Sequence, residues 1–133
     1  MNLNKEQEAQ KKVFIFDDNT MILELCTDIL NDLNYEVKTS PTANNIELQV
    51  SEYMPDLIFM DNSLWGMSGI EATRLLKSNE RLKDIPVVYF TANSNVSDLA
   101  EKAGADDHIA KPFDLFEFEK MVKKYWSRGI FQI

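Results

Sequence analysis

The stretch Leu57-Ile58-Phe59-Met60-Asp61 places a carboxylate directly after four consecutive apolar residues. Short apolar runs of this composition are typical of buried strands in a parallel sheet. Three further runs also end in charged or hydroxyl side chains: residues 13–16 before Asp17 and Asp18, residues 87–90 before Thr91, and the weaker run 108–110 before Lys111. Ligand sites of open α/β sheets lie beyond the carboxyl ends of the strands, so we expect these residues to meet at one edge.

The composition indicates one ordinary globular domain with a strongly acidic surface. A chain of 133 residues suits a single hydrophobic core, and its formal net charge is −8. This charge argues against nonspecific binding to nucleic acid or to an anionic membrane, because both need a positive surface. No apolar run approaches the length of a membrane span. The single cysteine, Cys26, fits a reducing compartment and is expected to be a buried thiol, so we expect a cytoplasmic protein.

Segments with helical periodicity separate the apolar runs. A stripe over residues 21–33 predicts a helix capped by Asn19 or Thr20. An alternating segment at residues 35–39 predicts an edge strand, and a short or irregular helix is expected to begin at Pro41. Three more helices are predicted over residues 69–77, 93–103 and 114–126. Five alternations of strand and helix predict an α/β fold with a doubly wound parallel sheet.

The chain divides into three parts at this level. Residues 1–11 form a polar lead-in, residues 12–126 form the domain, and residues 127–133 form a short tail that we expect to pack back on the domain. The self-contained ends favour a stand-alone protein without an output domain.

Several motifs occur in a fixed order along residues 12–126. They are Asp17-Asp18-Asn19 after the first apolar run, then residues 55–61, 66–72, 86–92 and 103–105, and finally Lys111-Pro112-Phe113. In this order the chain resembles the receiver domain of bacterial response regulators, in particular the single-domain chemotaxis-type regulators. The resemblance implies a flavodoxin-like five-stranded parallel sheet of order 2-1-3-4-5 with five helices.

The resemblance also implies a role for each site residue. Asp61 would be the phosphoacceptor, taking a phosphoryl group from a phosphohistidine on a sensor histidine kinase or a histidine phosphotransfer protein. Thr91 and Lys111 would bind the transferred group, and a downstream protein target would read the switched surface. Only self-phosphorylation and autodephosphorylation are expected, from a monomer or weak homodimer. Mg²⁺ would be held by four ligands: Asp17, Asp18, Asp61 and the backbone carbonyl of Ser63.

The chemistry explains why such a site needs a cation. A carboxylate can accept a phosphoryl group covalently, but three neighbouring carboxylates repel the incoming anion. Mg²⁺ prefers oxygen ligands and neutralises charge that develops during transfer. Lys111 supplies a compact positive charge. Without metal, the crowded carboxylates should raise one another's pKa.

Two positions depart from the family pattern, and one peptide bond is expected to have the isomer that is usual in the family. His108 stands where the family has an aromatic switch residue, and we favour a half-buried structural histidine over a pH sensor there. Trp65 stands where the family usually has proline, and local packing is the simplest interpretation. The Lys111–Pro112 bond is expected to be cis, as is usual in the family.

Other functional classes fit the sequence less well than a receiver domain. A haloacid-dehalogenase-type phosphatase needs an acid two residues after its nucleophile and Thr or Val two beyond that, but Asn19 and Met21 occupy these places. The remaining alternatives are a flavodoxin-like scaffold or binding module that is not phosphorylated, and a receiver excised from a hybrid kinase. The presence of every expected acid, hydroxyl and amine favours a phosphoacceptor.

Overall fold

A computed structural model describes the backbone of residues 10–130 and the side chains of residues 10–125. Five strands form one sheet: β1 (Lys12–Phe16), β2 (Glu36–Ser40), β3 (Leu57–Asp61), β4 (Val87–Thr91) and β5 (Asp107–Ala110). All neighbouring strands are parallel and their order is β2-β1-β3-β4-β5. The predicted flavodoxin-like topology is therefore confirmed. Most of the predicted lead-in, and the tail's last residues and side chains, lie outside the described part.

Five helices of the described chain connect and follow these strands: α1 (Thr20–Asp32), α2 (Ile46–Tyr53), α3 (Gly69–Ser78), α4 (Val96–Ala103) and α5 (Leu115–Ile130). Side chains fix two of the starts. The Asn19 side chain accepts hydrogen bonds from the first amides of α1, and the Ser68 side chain accepts one from the Glu71 amide in α3. Within residues 10–130, no helix has both the length and the apolar character needed to cross a membrane.

Three predicted helix boundaries were wrong. Helix α2 begins at Ile46 rather than Pro41, because the backbone of residues 41–43 instead pairs with Trp65. Helix α4 begins at Val96 rather than at residue 93. Helix α5 continues to Ile130, past the predicted end at residue 126. The prediction that α2 is short was correct.

The core consists of two apolar layers, one on each face of the sheet. One layer packs under α2, α3 and α4, and the other under α1 and α5. Alternate residues of each central strand supply the two layers, as the pleat requires. Cys26 belongs to the second layer and is fully buried, as expected. Burial raises the pKa of its thiol to about 12, so it stays protonated.

Replacing Phe118 by alanine tests the second layer. Phe118 is fully buried, and its ring centre lies 4.9 Å from that of Phe59 and 5.1 Å from that of Phe113. We expect Phe118→Ala to lower the free energy of unfolding by about 3–5 kcal/mol. Phe116→Ala on the same helix is the control. This side chain is 73% exposed, so its loss should change stability by no more than about 0.5 kcal/mol. Urea denaturation measures both, and equal losses would contradict this packing.

Candidate functional site

Two carboxylates leave the carboxyl ends of adjacent central strands. Asp61 ends β3, and Asp17 directly follows β1. The register pairs Phe16 with Met60, so the residues that follow them stand side by side. Carboxylate oxygens of Asp17, Asp18 and Asp61 all lie within 4.8 Å of one another. The fold therefore brings together three acids from the ends of two strands, as the sequence predicted.

The Lys111 ammonium lies between two of these acids. Its Nζ donates to Asp61 Oδ1 at 3.1 Å and forms a close ion pair with Asp17 Oδ2. The Asp17 side chain is fully buried, while 13% of the Lys111 side chain is exposed. Lys111 follows β5, and its amide donates to the Thr91 carbonyl at 3.0 Å. Its bond to Pro112 is cis. Pairing of β5 with β4 thus places the ammonium over the acids.

Backbone amides fix the orientation of Asp17. Its own amide donates to the Ser40 carbonyl at 3.1 Å, which ties the end of β1 to the end of β2. Its Oδ1 accepts from the Asn19 amide at 2.9 Å, which leaves Oδ2 to Lys111. Asp17 is therefore held from both sides, whereas the neighbouring Asp18 is not buried.

Thr91 and Ser63 lie at the same edge in different surroundings. Thr91 ends β4 and is 4% exposed. Its hydroxyl oxygen accepts from the Asn93 amide at 3.3 Å, and its carbonyl is bonded to Lys111. Ser63 is exposed in the loop between β3 and α3, two residues after Asp61. The ligand role of its carbonyl stays a prediction.

The surroundings of Asp61 raise its pKa above the ordinary value. Burial is the main cause, and the negative charge of Asp17 adds to it. The Lys111 ammonium opposes both effects. Crowding of the carboxylates was expected to raise their pKa, and at Asp61 it does so as a secondary cause.

A tyrosine hydroxyl beside Asp61 was missed from the sequence. Tyr89 is fully buried on β4, and its hydroxyl donates to Oδ1 of Asn62, the residue after Asp61. The Asn62 carbonyl accepts from the Gly69 amide at 2.8 Å. Burial, and then the charge of Asp61, raises the pKa of Tyr89 well above its usual range. A polar tyrosine inside an otherwise apolar strand was the available signal.

The loop between β3 and α3 is also fixed at Trp65. The Trp65 carbonyl accepts from the Ala43 amide at 2.9 Å and from the Thr42 hydroxyl at 2.8 Å. These bonds hold the backbone of Trp65, but the residue is 61% exposed, so the expected local packing of its side chain was wrong.

His108 does not occupy the expected half-buried position. It lies on the edge strand β5, opposite Tyr89 in the register, and it is exposed. Along this strand only Ile109 is buried, because an edge strand is covered less completely than a central one. The expectation of a half-buried ring was wrong.

Comparisons with known proteins agree with this geometry. The model of the response regulator receiver domain matches residues 13–123. The polar-differentiation response regulator DivK of Brucella ovis is 34% identical over 118 residues, which cover 86% of this chain and 95% of that protein. A structure described as a response regulator from Chloroflexus aurantiacus has 26% identity and a TM-score of 0.83, covering 90% of this chain and 99% of that one.

A third similarity concerns the fold alone. The receiver domain of the sensor histidine kinase PA1611 from Pseudomonas aeruginosa has 24% identity and a TM-score of 0.80. The match covers 88% of this chain and 98% of that one, whose active-site cleft holds a coordinated magnesium ion.

Removing the charge of Asp61 should stabilise the metal-free protein at neutral pH. Because the folded-state pKa of this acid is raised, the native state binds more protons than the unfolded state between the two pKa values. The ordinary pKa of this carboxyl is 3.8. The contribution of Asp61 to stability therefore falls as the pH rises from 3.8 through the raised pKa of the folded state. We expect Asp61→Asn to unfold at higher denaturant concentration at pH 7 in chelator.

The gain should shrink as pH is lowered towards the ordinary carboxyl pKa, where the wild-type side chain is also neutral. Asp84→Asn, at an exposed position, is the matched control and should change stability little at any pH. A gain that is the same at low and neutral pH would contradict this role of the charge.

Proposed function

Because the chain belongs to the family of response regulator receiver domains, we propose that Asp61 accepts a phosphoryl group in a two-component signalling system. Receiver domains are signalling phosphoacceptors that work with histidine kinases and downstream targets. The observation that supports Asp61 most strongly is its place among three clustered acids, within 3.1 Å of the Lys111 ammonium. A scaffold that is not phosphorylated needs no such arrangement.

The proposed donor is a phosphohistidine on a sensor histidine kinase or a histidine phosphotransfer protein. A carboxylate oxygen of Asp61 forms the new bond to phosphorus as the bond between phosphorus and the imidazole nitrogen breaks. The electron pair of the broken bond stays on that nitrogen. Water later attacks the phosphorus, the bond to the Asp61 oxygen breaks, and inorganic phosphate leaves, which restores the carboxylate. The chain therefore catalyses only its own phosphorylation and dephosphorylation.

The donor set fits a magnesium ion. Three carboxylates offer oxygen atoms within 4.8 Å of one another, and oxygen is the ligand atom that Mg²⁺ prefers. Lys111 compensates only one of the three charges, which favours a divalent cation. We assign Asp17, Asp18, Asp61 and the Ser63 carbonyl as its protein ligands. When bound, the metal neutralises charge that develops on the phosphoryl oxygens.

Lys111 and Thr91 are proposed to recognise the phosphoryl group. The Lys111 ammonium already contacts Asp61 and would pair with a phosphoryl oxygen. The Thr91 hydroxyl would donate to another oxygen. Since the Thr91 carbonyl is bonded to the Lys111 amide, movement of either residue is shared by the ends of β4 and β5. This shared movement would change the surface that a downstream protein reads.

We infer a cytoplasmic chain in which residues 12–126 form the receiver unit, acting as a monomer or weak homodimer. The net charge of −8 supports protein partners over nucleic acid or anionic membranes.

Acetyl phosphate with Mg²⁺ tests the acceptor directly. We expect the intact mass of the wild type to increase by one phosphoryl group. Asp61→Asn should not gain this mass, whereas Asp84→Asn at an exposed position should gain it like the wild type. Chelation of Mg²⁺ should suppress the reaction. Unreduced labelling of Asp61→Asn would exclude Asp61 as the acceptor.

Replacing Lys111 separates metal binding from the response. Its ammonium occupies carboxylate oxygens of Asp17 and Asp61 that a cation would use. We therefore expect Lys111→Ala to bind Mg²⁺ at least as tightly as the wild type, measured by calorimetry, but to lose the phosphorylation-dependent change in amide exchange. Lys120→Ala, at an exposed position of α5, is the control. If Lys111→Ala shows the full change, the role assigned to Lys111 is wrong.

A further inference from the structure

The loop that follows Asp61 is fixed next to the acid by a contact from the neighbouring strand. The Tyr89 hydroxyl on β4 donates to the Asn62 side chain, and the Asn62 carbonyl accepts from the Gly69 amide at 2.8 Å. Asn62 is thus bonded through its side chain to the sheet and through its backbone to the start of α3. We call this pair of contacts the Tyr89–Asn62 clamp.

The clamp is tightly packed against the backbone of Asp61. A Cβ added to Gly69 would lie 2.0 Å from the Asp61 carbonyl oxygen and 2.9 Å from the Tyr89 hydroxyl. Glycine therefore lets the start of α3 approach both groups. The start of α3 therefore lies against both the Asp61 carbonyl and the Tyr89 hydroxyl.

Burying the hydroxyl of Tyr89 costs free energy, and packing of the core does not require a hydroxyl at this position. Its ring lies in the first apolar layer and is fully buried, and an apolar side chain would fill that space without burying a polar atom. A buried hydroxyl is costly unless it forms a hydrogen bond. Within the described part of the chain, this hydroxyl donates a hydrogen bond to the Asn62 side chain. The contact therefore links the strand specifically to the loop.

We propose that Tyr89 is a positioning residue, which holds Asn62 and thereby sets the spacing between the Asp61 carboxylate and the Ser63 carbonyl. Asn62 is the single residue between these two groups, which the proposed function assigns as metal ligands. A rotation of its backbone would move one group relative to the other. The inference rests on the proposed function for its purpose, while the clamp itself is independent of phosphorylation.

The first measurement is amide exchange in metal-free buffer. Tyr89→Phe keeps the ring and removes only the hydroxyl. We expect exchange at the Gly69 amide to become about tenfold faster, the size expected for losing one ordinary hydrogen bond. The matched control is Tyr53→Phe, at the end of α2, whose ring packs on Phe14 with centres 5.6 Å apart. It removes a tyrosine hydroxyl from the same apolar layer but should leave Gly69 exchange unchanged.

The second measurement is Mg²⁺ affinity by calorimetry, with the metal alone as probe. Loss of a residue that orients ligands commonly weakens metal binding 10–100-fold, and we expect about tenfold for Tyr89→Phe. Asn62→Leu removes the side-chain oxygen that accepts the hydrogen bond from Tyr89, and it should weaken Mg²⁺ binding by a similar factor. The double variant should be no weaker than either single variant, because both remove the same contact. Asn62→Leu also keeps the test available if Tyr89→Phe unfolds.

Unchanged exchange and unchanged Mg²⁺ affinity in Tyr89→Phe would overturn the proposal, and so would equal effects in Tyr53→Phe. Additive losses in the double variant would also contradict it, since the two side chains would then act separately. The outcomes differ from failure of the proposed function. If the wild type takes no phosphoryl group from acetyl phosphate, Asp61 is not an acceptor, but Gly69 exchange still decides whether the clamp exists.

Discussion

The site depends on one ion pair, in which the Lys111 ammonium compensates the negative charge of the buried Asp17 carboxylate. The Asp17 side chain is fully buried, and an ionised group at such a position is very costly unless it is paired and hydrogen-bonded. Its partner, Lys111, lies 94 residues further along the chain and directly follows β5. The order β2-β1-β3-β4-β5 brings that ammonium across to the end of β1. The same ammonium also reaches Asp61, so one cation serves two acids.

The apolar strands make this arrangement precise. Every residue of β3 and β4 is buried, and aromatic rings from both faces hold the two strands in place. Such close-packed interiors resist small displacements. Polar groups that leave the strand ends are therefore held by a rigid base, whereas the loops that carry Asn62 and Asn93 depend on a few hydrogen bonds. The strand ends are therefore held by core packing, whereas the loops that follow them are held by individual hydrogen bonds.

The sequence predicted the strands and the meeting of the acids well because both follow from local pattern. Apolar runs identify buried strands, and parallel strands bring their carboxyl ends to one edge. Other features depend on which segments become neighbours. The start of α2 is determined by a backbone contact with Trp65, and the exposure of His108 by the edge position of β5. The Tyr89 hydroxyl can reach Asn62 only because β4 lies beside the loop after β3, and the sequence pattern does not show that contact.

The contact between residues 42 and 65 has a mechanical consequence. It joins two connections that leave different strands, one following β2 and the other following β3. Hydrogen bonds between their peptide groups hold the two connections together, so the segment after β2 and the loop after β3 form one unit beside the end of β3. The hydrogen-bonded surface beside the acid cluster is therefore wider than the cluster itself and includes the exposed Trp65.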